Sequence, residues 1–195
     1  MVTGEDLLKS FSTFLEIATH QILYIADVYP RDTFLLERRY EYAVRRSRHR
    51  GLCEWIRSSC AEVHDQIATG NVKTVSVAIV DSCDTVIEQY VFDVRHLYSD
   101  DALHWTMSDF DQGYRAVLVR LFGSTSVTVP PDSTFTFIIE LKDTANTVPH
   151  SDKGAYGTNI WITSAAESTA ASTVTAIRSC AIGPLIFDLF NEVKS

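Results

Sequence analysis

Basic residues, paired cysteines and long apolar runs are all scarce in this chain, and each shortage closes off a class of function. Only 17 of 195 residues are Lys or Arg, against 25 Asp or Glu, for a formal charge of −8. Phosphate backbones are held by Lys and Arg, so the deficit argues against broad wrapping on nucleic acid and leaves only local or indirect contact. Cys53, Cys60, Cys83 and Cys180 contain no CxxC pair. Four cysteines in a domain of this size do not make a disulfide framework, and reduced, mostly structural thiols are expected. No apolar stretch approaches membrane-spanning length, and Glu5 and Asp6 stand where a secretory leader would carry basic residues; a soluble, intracellular protein with no membrane partner is expected. P-loop, GxGxxG, HExxH and GxSxG motifs are all missing, which removes the common phosphate-cradling, zinc-protease and hydrolase signatures. Neither a cofactor nor a metal is expected, and enzymatic chemistry has no support.

What the chain does have is enough apolar residue, 46%, to bury one ordinary core, and it reads as a single domain. Helical spacing of Leu7, Leu8, Phe11, Phe14, Leu15, Ala18, Ile22 and Ile25 predicts a first helix from Gly4 to Val28. A second is predicted from Gly51 to Ala68, with Leu52, Trp55, Ile56, Cys60 and Val63 on one side, and the stretch between the two reads as irregular. VKTVSVAIVD (72–81) and TVIEQYVFDV (85–94) read as a central antiparallel hairpin. Residues 104–122 read as a third helix despite the cost of about 1 kcal/mol that Gly113 carries relative to alanine. STFTFIIELKD (133–143) reads as a third strand. Polar residues 144–158 then form a joint to a C-terminal segment of short β-like runs, NIWITS, STVTAIRS and GPLIFDLFNEV, with no evident hairpin register. The expected class is α+β, with a core over 1–143 and a mobile segment over 144–195, so that truncation after Asp143 is expected to leave the core folded.

Three local constellations invite chemistry. Cys53, Cys60 and His64 share a face of the second helix but lack a fourth ligand, and zinc sites draw on turns or on several elements. Asp100, Asp101, Asp109 and Asp111 surround the start of the third helix, where capping and the helix field account for them. Arg31, Arg38, Arg39, Arg45, Arg46, Arg48 and Arg50 gather seven of the 17 basic residues within twenty positions. A solvated loop, an acidic partner surface and a nucleic-acid backbone are the readings that stay open for Arg38, Arg39, Arg45, Arg46, Arg48 and Arg50.

FLEIATHQILYIADVYP (14–30), with Phe34 and Tyr40 after it, resembles the first helix and exit loop of a HORMA domain. VSVAIVDSCDTVIEQYVFDV, PPDSTFTFIIELKD and the Trp161-Ile162 pair resemble the polymerase-zeta branch of that family. The resemblance implies three helices packed on a mainly antiparallel sheet, and a C-terminal safety belt that crosses over a peptide added to the sheet edge, where unpaired backbone groups give affinity and pockets give sequence choice. It implies a non-catalytic nuclear adaptor in translesion synthesis. Such an adaptor clamps a proline-containing peptide of the catalytic subunit of DNA polymerase zeta and bridges it to a deoxycytidyl transferase-type translesion scaffold protein. A spindle-checkpoint adaptor that takes checkpoint-receptor peptides is the alternative within the family, and a small α/β enzyme is the alternative outside it.

Residue by residue, the resemblance places Tyr29, Trp55, Trp161 and Thr163 in the peptide channel, with Thr163 standing where an aliphatic residue is expected. It places Arg115, with Asp27 as a neighbour, in a surface that pairs with a second HORMA copy.

Overall fold

The computed structural model describes residues 2–97, 105–142 and 172–194. Helix α1 (Gly4–Ile25) opens with a capping box: the Asp6 amide donates to Thr3 Oγ1 at 3.1 Å and the Thr3 amide donates to Asp6 Oδ2 at 2.9 Å. The helix stops three residues short of the expected Val28 because Asp27 turns to φ 53, a left-handed conformation that ends α-helical bonding. Its second half is buried on nearly every side, with Ala18, Thr19, His20, Gln21, Ile22 and Leu23 all inside. It is the axis on which the other elements pack.

The arginine-rich stretch is ordered. Strands β1 (Phe34–Arg39) and β2 (Tyr42–Ser47) pair antiparallel, from Phe34 opposite Ser47 to Arg39 opposite Tyr42. Tyr40 and Glu41 between them have φ 48 and 55, the positive pair that a tight two-residue hairpin demands. No Asn-Gly or Asp-Gly marks this turn, and arginines occupy both strands, so neither the turn nor the alternation announces itself in the sequence.

Helix α2 (Arg50–Ala68) begins at His49, whose imidazole accepts from the Leu52 amide at 3.1 Å. It buries Ile56, Ser59, Cys60, Val63 and Ile67. Trp55 and Leu52 sit at the side of that stripe and not within it. Strand β3 (Val72–Val80) pairs with β4 (Val86–Asp93) across a turn in which Asp81 Oδ1 accepts from the amides of Thr85 and Cys83; these bonds hold its carboxyl below the usual range. Helix α3 (Met107–Phe122) starts at Thr106, whose amide and hydroxyl both donate to Asp109 Oδ2 at 2.8 Å, so this aspartate is a capping residue. Asp100 and Asp101 lie outside the described residues.

The main sheet has five antiparallel strands in the order β5 (Thr134–Leu141), β3, β4, β7 (Leu185–Lys194), β6 (Ser172–Ile182). Of the C-terminal runs, read from sequence as lacking a register, STVTAIRS and GPLIFDLFNEV form a hairpin from Ser172 opposite Lys194 to Ile182 opposite Leu185, and NIWITS lies outside the described residues. Gly183 opens its two-residue turn at φ 53 under the Trp105 indole, where an added Cβ would lie 2.2 Å from the ring. Gly113 makes the matching approach on α3. A Cβ there would stand 2.0 Å from the Ile182 Cδ1 and 3.1 Å from the Cys180 Sγ. The helix glycine that costs propensity is thus the notch that admits β6.

The sequence puts a boundary at residue 143, yet residues 172–194 supply two strands of the main sheet, and Leu185, Phe187 and Leu189 join the core. Phe187 lies among Phe11, Phe14, Phe92 and Tyr114, with ring centroids 5.3 to 6.4 Å away. Tyr114 in turn stacks on Phe14 at 4.5 Å. Cys60 and Cys180 are buried and Cys53 donates to the Ser47 carbonyl, while the four thiols are free. Burial raises the Cys60 thiol far above its ordinary value and that of Cys180 to about 11.

His20 is 1% exposed, and its Nδ1 accepts from the Ser47 amide at 3.5 Å. Burial, helped by the Arg46 charge, lowers its pKa from 6.5 to about 4. Below pH 6.5 the unfolded chain therefore takes up a proton that the native state refuses, and stability falls as the pH drops towards 4. The depression corresponds to about 3 kcal/mol in full. Urea unfolding of wild type and His20→Asn at pH 7 and pH 4.5 should show the wild type losing about 2 to 3 kcal/mol more than the variant over that interval. Parallel losses would place the charge-sensitive burial elsewhere.

Candidate functional site

Three separate local rules converge on one cleft. The left-handed Asp27 and the fixed φ of Pro30 turn the chain out of α1 and set Tyr29 beside the sheet. The His49 cap sets the phase of α2, so that Leu52 and Trp55, three residues apart, face the same way. The period of two along β5 sends Phe135 and Phe137 to the face that meets α2. Trp55 meets Phe135 edge-on at 4.9 Å and stacks on Phe137 at 6.0 Å; Tyr29 meets Phe135 edge-on at 6.3 Å. Tyr29, His49, Leu52, Trp55, Thr134 and Phe135 enclose a cleft of about 400 Å³. Trp55 remains 40% exposed.

This cleft opens at the beginning of an edge strand. Among the described residues β5 pairs with β3 alone, which leaves its outer row of amides and carbonyls without a ladder partner. An aromatic cleft beside such an edge offers backbone hydrogen bonds to an extended segment and a flat, apolar seat to one of its side chains.

Tyr29 and Trp55, expected in a peptide channel, are thus brought to one cleft, with Phe135 between them. Trp161 and Thr163 lie outside the described residues. Phe135, Phe137, His49 and Thr134 escaped the sequence reading, although the Phe-Thr-Phe alternation on an edge strand was the signal that could have found the first two. Arg115 lies on α3 and donates to Glu41 Oε2 at 3.2 Å, while Asp27 takes Arg31 at 3.1 Å; the two expected neighbours have different partners. Exposed Val119 and Phe122 follow Arg115 along α3, and Val117, Leu118 and Leu121 face inward.

The arginines of the β1–β2 region are not a uniform patch. Arg39 binds Glu37 at 2.7 Å, Arg46 reaches Glu37 at 3.3 Å and Glu16 at 3.8 Å, and Arg50 binds Glu54 at 2.7 Å. The Arg45 guanidinium lies over the Tyr24 ring at 4.8 Å. Arg38 and Arg48 are exposed and have no ion pair among the described residues. Cys53 and Cys60 bond or pack within α2 and its neighbours, and no group of three metal-ligating side chains is found among the described residues.

The DNA polymerase zeta processivity subunit of Schizosaccharomyces pombe is 32% identical over 144 residues, covering 68% of each chain. Among solved structures, a chain of the mitotic checkpoint complex superposes with a TM-score of 0.74 at 16% identity, over 96% of this chain and 98% of that one. C. elegans HTP-2 bound to the HIM-3 closure motif superposes with a TM-score of 0.62 at 9% identity, over 95% and 88%. The HORMA domain profile matches residues 8–118, from Leu8 of α1 to the buried Leu118 of α3. A profile that matches more than half of the chain, beside a relative 32% identical over 68% of each chain, establishes that the protein belongs to the HORMA domain family.

Proposed function

We propose that this protein is the non-catalytic, peptide-clamping subunit of a translesion DNA polymerase of the zeta type, acting in the nucleus. An extended, proline-containing segment of the catalytic subunit adds to the outer edge of β5 and seats an apolar side chain against Tyr29, Trp55 and Phe135. Residues after 143, with Trp161 and Thr163, close over it as a safety belt. The bound pair is then presented to a translesion scaffold protein, and α3, around Arg115, pairs with a second HORMA copy. The observation that carries this reading is the aromatic cleft at the start of β5, an edge strand among the described residues. The processivity subunit, by its name, supports the polymerase assignment, and HTP-2 with its closure motif supports capture of a peptide.

Calorimetric titration with a synthetic segment of the polymerase-zeta catalytic subunit tests it. Trp55→Ala should weaken binding by about 2 kcal/mol, close to thirtyfold, the loss typical of an aromatic anchor. Its melting temperature should move little, because the ring is 40% exposed and lies beside the buried stripe of α2. Equal affinities for the two proteins would take the cleft out of peptide capture. A segment from a checkpoint receptor that binds when the polymerase segment does not would make this a checkpoint adaptor instead.

A further inference from the structure

A second cleft opens on another part of the molecule, where the β1–β2 hairpin crosses α1. It shares no residue with the aromatic cleft. Glu16 and His20 of α1 and Glu37, Arg39, Arg45 and Arg46 of the hairpin line it. Three guanidinium groups against two carboxylates leave a positive balance, in a chain whose overall charge is −8. Arg57 of α2 adds a further positive group from behind, 3.9 Å from Glu16.

Two features mark this cleft as built to receive an acceptor. The first is His20. Its Nδ1 is occupied by the Ser47 amide and burial keeps the imidazole neutral, so the ring proton sits on Nε2. That N–H is buried and has no partner among the described residues. A buried donor left unpaired costs about 1 to 3 kcal/mol, so it is a standing reason to take up an oxygen. The second is Arg46. Its contacts of 3.3 and 3.8 Å are longer than the roughly 2.7 to 2.9 Å of a saturated charge-assisted bond, so the guanidinium retains capacity to donate. Arg45 has no carboxylate partner among the described residues.

Size selects the ligand. The free volume is about 40 Å³, against the roughly 10 to 15 Å³ that a single water needs. That is room for about three heavy atoms, the count of a carboxylate group. We propose that the cleft between α1 and the β1–β2 hairpin is a docking subsite for an acidic partner peptide, receiving one Asp or Glu carboxylate on Arg46 and the Nε2–H of His20. Exposed Arg38 and Arg48, on the same hairpin, supply the field that draws an acidic segment towards it. The incoming carboxylate competes with Glu37 for Arg46, which makes the contact exchangeable and not permanent. This subsite goes beyond peptide capture at β5 and stands whether or not that capture occurs.

The test uses the full chain labelled with 15N-histidine, titrated with an eight-residue peptide of alternating Glu and Ser, with its Gln counterpart, and with a single-stranded oligonucleotide of eight nucleotides. The Glu peptide should saturate and shift the His20 Nε2 resonance, and the Gln peptide should do neither. Arg46→Gln should weaken the Glu peptide about tenfold, whereas Arg38→Gln, outside the cleft, should weaken it about twofold. If Arg46→Gln does not fold, the His20 signal of the wild type decides alone. A Glu peptide that never shifts Nε2, or that binds Arg46→Gln and Arg38→Gln equally, overturns the subsite in favour of diffuse charge attraction. An oligonucleotide that shifts Nε2 when the peptide does not reassigns the hairpin to nucleic acid.

Discussion

Phe187→Ala is expected to destabilise the protein by about 3 to 5 kcal/mol, the cost of deleting a fully buried aromatic ring. The residue lies in the C-terminal hairpin, which the sequence separates from the core, but its ring is surrounded by Phe11, Phe14, Phe92 and Tyr114 from three other elements. Removing it leaves a cavity that neither α1 nor β4 can collapse to fill, since both are pinned by their own neighbours. For a chain of this size each kcal/mol lowers the melting temperature by roughly 2 to 4 °C, so a fall of about 6 to 20 °C is expected by differential scanning calorimetry. A fall under about 3 °C would mean that the hairpin rests on the core without contributing to it. By the same reasoning, truncation after Asp143 removes Leu185, Phe187 and Leu189 together and strips β4 of a partner. With a typical total stability of about 5 to 15 kcal/mol, the shortened chain should not keep the compact fold that its composition alone suggests.

Asn191→Leu is the second large effect, about 2 to 3 kcal/mol. Glu88 of β4 is fully buried, and three groups donate to its carboxyl: Asn191 Nδ2 of β7 at 2.6 Å, the Ser126 hydroxyl after α3, and the Tyr90 hydroxyl at 3.4 Å. No Lys or Arg pairs with it among the described residues. Leucine matches asparagine in size and suits a core, so a purely apolar account makes the substitution neutral or helpful. It instead deprives a buried carboxyl of one of its three donors, and an acceptor cut off from water is expensive to leave unpaired. The double variant Glu88→Gln, Asn191→Leu should recover much of the loss, because a neutral amide costs less to bury than a carboxylate. Chemical denaturation of the two single variants and the pair gives the coupling directly. No recovery would show that Asn191 acts through packing and not through Glu88.

The elements that could be read from sequence are those whose own residues carry the signal. Apolar spacing located α1, α2 and α3 to within three residues at each described end, and Val-rich alternation located β3, β4 and β5. The β1–β2 hairpin was missed because its turn uses Tyr40 and Glu41 in left-handed conformations that such residues seldom adopt, and because long arginine side chains can serve either face of a strand. Tyr29 and Trp55 were legible as site candidates through resemblance. The ring that joins them, Phe135, was not, since its role depends on which neighbour its strand acquires.

By itself the sequence determined the family, the helices, the central strands and the absence of recognisable catalytic motifs, because periodicity, capping and motif spacing are properties of residues close together along the chain. Only the tertiary structure decided that the C-terminal hairpin docks on β4, that Gly113 and Gly183 are notches for Ile182 and Trp105, and that Glu88 is satisfied by Asn191, a residue 103 positions away. It also decided that β5 is left as an edge among the described residues. Each of these is a choice between partners distant in sequence. Such choices are made by the shape and unpaired polar groups of an assembled surface, and no local pattern encodes them.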